Sequence, residues 1–318
     1  MTTTPDARPA VPASGAVSPA VVGALLVVYV VWGSTYLGIK YTVADLPPLL
    51  AMGCRFLLAG SLLLTILLAT RGRAALRMSP RQAATAVACG MLLLVGGNGL
   101  VAVAEQYVNS GLAALLIAAT PLWVVVLRAL LGDRPALSTV GGLLLGIVGV
   151  GVLLRPGFGG EHGIGPLLLV CLSSLLWSIG TVLATRRPLP RDPFATTVVE
   201  MAAGGVAMVV LGSIGGEWGR ADLGAVDASS WLAFGYLVVV GSLVAYSAYV
   251  WLLAHAPVSL VTTYAYVNPA VAVALGALFL DEPLSTPVLV GGAVIIAAVA
   301  VVISTEARNL RRHQQLPT

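Results

Sequence analysis

Two ionisable residues, Arg55 and Glu200, fall well inside apolar stretches of this sequence. A charge held in hydrocarbon costs about 2.5–3.5 kcal/mol on insertion scales, so each needs a reason to be there. Arg55 lies eight residues into its stretch, roughly 12 Å deep at about 1.5 Å per residue, and Glu200 lies six into its own. An arginine at that depth suits an anionic group, and a glutamate suits a cation or a transferable proton. The competing reading is structural, with each side chain locking neighbouring helices. Glu105 ends a third stretch, before Gln106 and Tyr107. It is expected at a solvated boundary and is a second candidate for ion coupling. Lys40 and Arg128 are close enough to stretch ends to reach water along their own stems.

The uncharged clusters offer hydrogen bonds without buried charge. Trp32-Gly33-Ser34-Thr35-Tyr36 has a counterpart in Trp177-Ser178-Ile179-Gly180-Thr181. Asn98 sits in a glycine-rich run, and Tyr264-Ala265-Tyr266-Val267-Asn268-Pro269 closes the set. Indole and phenol rings present flat faces to an organic solute, hydroxyls and amides orient it, and glycine admits close helix approach. Trp32, Ser34, Thr35, Tyr36, Arg55, Asn98, Trp177, Glu200, Tyr264, Tyr266 and Asn268 are therefore the candidate binding residues. Pro121 and Pro269 each free a backbone carbonyl and are the candidate hinges. Nothing indicates catalysis. No phosphate-binding loop, zinc-protease helix or nucleophile elbow occurs. Three histidines and three cysteines (Cys54, Cys89, Cys171, all in apolar runs) lack metal-site spacing, so no metal or cofactor is expected.

The elements that must position these residues follow from composition. Of 318 residues, 58% are hydrophobic and 9% charged, with a mean hydropathy of +0.97. A soluble domain carries about 25% charged residues, so a soluble fold is excluded and the bilayer is the expected surrounding. The net charge of +4 is too small to suggest a nucleic-acid partner. Apolar stretches of membrane-spanning length cover 19–40, 47–69, 82–104, 109–131, 137–155, 163–185, 194–214, 231–253, 259–280 and 287–304. The reading is an all-α integral membrane protein of ten spanning helices, with a flexible tail over 1–18 and a basic tail over 305–318. Twelve basic residues fall on one side of the alternating connections, among them Arg71, Arg73, Arg77, Arg81, Arg186, Arg187 and Arg191. Lys40, Arg155 and Arg220 fall on the other, which predicts both termini in the cytoplasm.

The chain also repeats itself. A shift of 148 places Pro121 on Pro269, Asp133 on Asp281 and Pro135 on Pro283. A shift of 145 places Trp32 on Trp177, Pro48 on Pro193 and Gly96 on Gly241. The units are 19–155 and 163–304, with five helices each. An odd number per unit forces the second copy to cross the membrane in the opposite sense. Inverted repeats sharing a midplane site are the architecture of secondary transporters. An uncoupled facilitator or exchanger is the second reading, and a non-transporting membrane protein a distant third.

The ordered motifs resemble the EamA family of the drug/metabolite transporter superfamily, closest to its inner-membrane exporters. The resemblance rests on Trp32 to Tyr36, Arg55-Phe56, Ala104-Glu105-Gln106-Tyr107, Ala118-Ala119-Thr120-Pro121, Gly132-Asp133-Arg134-Pro135, Tyr264 to Pro269, and Asp281-Glu282-Pro283. It covers about 20–304. It implies two five-helix repeats, a central cavity, and export of small metabolites, amino acids and their analogues foremost. The family's acidic-Pro signature is intact at Glu282-Pro283, whereas Arg134 stands at the matching place in the first repeat. The inverted repeat predicts that single cysteines at positions 133 and 281 react with an impermeant reagent from opposite sides of the membrane. Labelling from one side only would remove the inversion.

Overall fold

The computed structural model describes residues 18–133, 137–153 and 163–314. The expected N-terminal tail up to residue 17, Arg134, Pro135 and Arg155 lie outside them. Among the described residues ten helical rods follow in order: α1 (Pro19–Asp45), α2 (Pro48–Arg71), α3 (Pro80–Glu105), α4 (Ser110–Leu130), α5 (Leu137–Leu153), α6 (Gly165–Arg186), α7 (Pro193–Ile214), α8 (Ala228–His255), α9 (Tyr264–Phe279) and α10 (Thr286–Gln314). The described residues contain no strand. Seven rods, α1–α4 and α6–α8, are long and apolar enough to cross a bilayer, and α5, α9 and α10 hold shorter apolar runs. Proline in the first turn starts α1, α2, α3, α6 and α7, where a missing N–H costs nothing. α10 continues through residue 314, where a tail had been expected from 305.

The two halves pack by one rule. α2 lies along α7, and α5 along α10. α1 meets α9 as α6 meets α4, and α1 meets α8 as α6 meets α3. Exchanging the halves leaves this pattern unchanged, as a pseudo-two-fold relation requires. The equivalent helices run antiparallel. Gly53 faces Gly205 and Val209, while Gly60 further along α2 faces Met201, earlier on α7. Likewise Gly142 faces Ala298 and Val302, while Leu153 reaches back to Gly291. A Cβ at Gly53 would come within 2.9 Å of the Gly205 carbonyl, so this crossing admits no side chain.

Helix ends inside an apolar body leave backbone groups without partners, and charged side chains supply them. Glu217, 4% exposed, accepts from the Leu50 N–H at 2.8 Å and the Leu49 N–H at 3.3 Å, closing the start of α2. Glu282 accepts from the Ser110 N–H at 2.7 Å and the Gly111 N–H at 3.0 Å, closing the start of α4. Lys40 donates to the Glu105 and Val108 carbonyls at 2.6 and 3.0 Å, at the end of α3. This corrects the expectation that Lys40 reaches toward water, and α1 correspondingly runs on to Asp45. At the other face Arg71 pairs with Asp192 at 2.6 Å. There Asp133 bridges Arg128 and Arg186, which hold its carboxyl below the usual carboxylate range.

The matched helices are broken in matched places. α3 and α8 each contain a π-helical segment, Met91–Gly99 and Leu237–Tyr246. The prolines differ. α4 breaks at 118–119 and restarts at Thr120 with Pro121 in the new first turn. The Ile117 carbonyl is taken by Thr120 Oγ1 at 2.6 Å. Pro269 instead lies inside the continuous α9, behind a separate turn at Val258–Val261. Replacing Glu217 with alanine removes both acceptors from the α2 terminus. It should cost about 1.5–3 kcal/mol, read as a lower melting temperature in detergent, whereas Glu217→Gln retains part of it.

Candidate functional site

Seven of the rods enclose a cavity with about 590 Å³ of empty space, its open side included. Its wall draws on Trp32, Thr35, Tyr36 and Ile39 of α1, and on Arg55 and Phe56 of α2. Gly97, Asn98 and Val101 of α3, and Ile117 of α4, complete the share of the first half. The second half contributes Ser173 and Trp177 of α6, Gly241 and Tyr246 of α8, and Tyr264 and Asn268 of α9.

Both π-segments border this space. A π-turn is uncommon in proteins and occurs mostly at functional sites, because it re-aims side chains and backbone groups. In α3 it presents Gly97 and Asn98. A Cβ on Gly97 would meet the Trp177 ring at 2.5 Å, so the indole rests directly on bare backbone. Ser173 Oγ donates to the Gly97 carbonyl at 2.6 Å, tying α6 to the same turn. In α8 the π-segment presents Gly241 and Tyr246, with Ser242 buried beside them.

One end of the cavity is an aromatic cluster. The Trp32 ring lies edge-on to Trp177 and to Tyr264, both at 5.3 Å between centroids, and tilted on Tyr249 at 4.8 Å. Thr181 Oγ1, which donates to the Trp177 carbonyl at 2.9 Å, also meets the Tyr249 hydroxyl at 2.8 Å. Polar side chains make up much of the remaining wall. Arg55 Nε donates to Ser242 Oγ at 2.7 Å, and its guanidinium lies 4.7 Å from the centre of the Phe56 ring. The Asn268 amide, oriented to satisfy its surroundings, donates to the Tyr29 and Tyr264 carbonyls at 2.9 and 3.2 Å.

The structure thus gathers Trp32, Thr35, Tyr36, Arg55, Asn98, Trp177, Tyr264 and Asn268 around one space. Two candidates stand elsewhere. Ser34 points to α8, where it meets the Tyr236 hydroxyl and donates to the Val31 carbonyl. Glu200 lies behind the wall, 1% exposed, accepting from the Tyr246 hydroxyl at 2.9 Å. The side chain of Tyr266 lies outside the described residues. Arg55 and Glu200 do not form an ion pair, although the repeat makes them equivalent. Glu105 departs from the solvated position expected of it. It is fully buried, and neither carboxyl oxygen has a hydrogen-bond partner.

Tyr246, Ser242 and Gly241 were not singled out from sequence. Gly241 carries a usable signal as the shifted copy of Gly96, but an apolar run with one serine and one tyrosine does not reveal its inward face.

A model of the EamA-like transporter family matches residues 19–155 and again 164–304. The chain is 38% identical over 283 residues to the uncharacterised inner membrane transporter YedA of Escherichia coli K12, covering 88% of this chain and 89% of that one. It is 26% identical over 280 residues to a probable amino-acid metabolite efflux pump of Salmonella typhimurium, covering 86% and 91%. A solved crystal structure, 21% identical, aligns over 89% of this chain and 95% of its own with a TM-score of 0.63, a likeness of fold.

The Gly97–Trp177 contact is testable alone. Gly97→Ala should displace the indole, cost about 1–3 kcal/mol through overpacking, and alter the near-ultraviolet circular dichroism of the tryptophans. Gly235→Ala, with open space around its Cα, is the control that should change neither.

Proposed function

The chain belongs to the EamA-like transporter family, and we propose that it exports small organic metabolites by alternating access of the cavity between its halves. The observation that carries this reading is the antiparallel packing of repeat-equivalent helices around a shared space. Helices related by an axis along the membrane normal would run parallel, so this packing supports an axis in the membrane plane. Halves so related can exchange roles and turn one site toward either side. α1 and α9 run parallel, with Tyr29 meeting Thr263 and Tyr41 meeting the Phe279 carbonyl. That too supports ten alternating crossings. The distribution of basic residues favours cytoplasmic termini.

In this reading Trp32, Trp177 and Tyr264 contact the apolar body of the solute. Thr35, Asn98 and Asn268 orient its polar groups. Amino acids and their analogues are favoured as cargo, in keeping with the efflux pump among the relatives.

Glu200 is the first candidate for proton coupling and Glu105 the second. The Tyr246 ring lines the cavity while its hydroxyl donates to Glu200, so solute and carboxylate share one intermediary. A second reading, transport without ion coupling, is favoured by Glu200 itself standing off the cavity surface. Proteoliposomes separate the two. In the coupled case an imposed pH gradient drives accumulation and Glu200→Gln abolishes it, at least tenfold by initial rate, about 1.4 kcal/mol of barrier. In the uncoupled case the gradient has no effect on either protein. No solute flux across a broad metabolite panel would overturn the transport reading.

A further inference from the structure

Arg55 is the one charged side chain among the described residues that line the cavity. It is 2% exposed, and a guanidinium keeps its charge under all ordinary conditions. Its partners are all neutral. Nε donates to Ser242 Oγ at 2.7 Å, while Nη1 reaches Met52 Sδ, a weak acceptor, at 3.4 Å and Asn98 Oδ1 at a long 3.5 Å. Nη2 has no hydrogen-bond acceptor among the described residues. It stands beside Gly241, where a Cβ would come within 3.2 Å of it.

A purely structural arginine would spend its fork on carbonyls or a carboxylate. This one is pinned at Nε and leaves the Nη1–Nη2 edge poorly occupied, the edge that accepts a carboxylate through two parallel N–H···O bonds. No carboxylate lines the same space. Glu200 is engaged behind Tyr246, and Glu105 is fully buried outside the lining. An ammonium group therefore has no anionic partner in the cavity, while an anion has a ready one.

We infer that the cavity selects organic monoanions. The carboxylate sits on the Nη1–Nη2 edge of Arg55, and the apolar body lies against Trp32, Trp177 and Tyr264. This rests on the transport reading and narrows its cargo from amino acids toward carboxylic acids whose amine is absent or acylated.

The test uses the full chain in nanodiscs and four probes of one shape: 3-phenylpropionate, 3-phenylpropan-1-ol, 3-phenylpropylamine and phenylalanine. Binding is read by calorimetry. The acid should bind about tenfold tighter than the alcohol or the amine, and phenylalanine should gain nothing over the acid. Arg55→Gln should bring the acid down to the affinity of the alcohol. Arg55→Lys, which keeps the charge without the fork, should fall between the two. Equal binding of acid and alcohol by the unmodified protein overturns the inference and leaves the transport reading standing, as does an unchanged preference in either variant. Binding of none of the four also overturns it, and the proteoliposome flux assay then judges transport separately.

Discussion

Hydrocarbon offers no hydrogen bonds, so each backbone group in this chain must be answered from within it. Helices answer most of them and leave their ends open. Glu217, Glu282 and Lys40 close three such ends. Each reaches from a different element: Glu217 from beyond α7 to α2, Glu282 from before α10 to α4, Lys40 from α1 to α3. Two of these contacts join the first half to the second. These terminal contacts join the halves alongside apolar packing.

Within that frame close approach comes from missing side chains. Gly53 and Gly205 let α2 and α7 touch backbone to backbone, and Gly97 lets an indole lie on a helix. The π-segments of α3 and α8 stand at matched positions and both border the cavity. Doubling the sequence therefore doubled a local distortion together with a fold. The doubled prolines did not keep this correspondence. Pro121 opens a new helix segment with Thr120 covering the freed carbonyl, whereas Pro269 remains inside one.

Much of this was legible in the sequence where a residue is costly to bury or was copied. Arg55, Trp32 and Trp177 stand out on those grounds, and all three line the cavity. Ser34 and Thr35 were indistinguishable by type. One turns to Tyr236 and the other lines the space, because neighbouring helical positions differ by about 100°. Tyr246 was unreadable for the same reason, since an apolar run on a membrane helix has no polar face to mark the inward side. Glu105 defied the usual expectation for a carboxylate at a helix end. The chain turns at 106–109 into α4, and Lys40 donates to the Glu105 and Val108 backbone carbonyls and not to the carboxylate.

Among the described residues the contact made by Glu282 is present once. The residue that a shift of 148 brings into its place is Arg134, which cannot accept from a helix amide. The two charge-assisted bonds at the start of α4 therefore come from a residue type that the repeat does not supply twice.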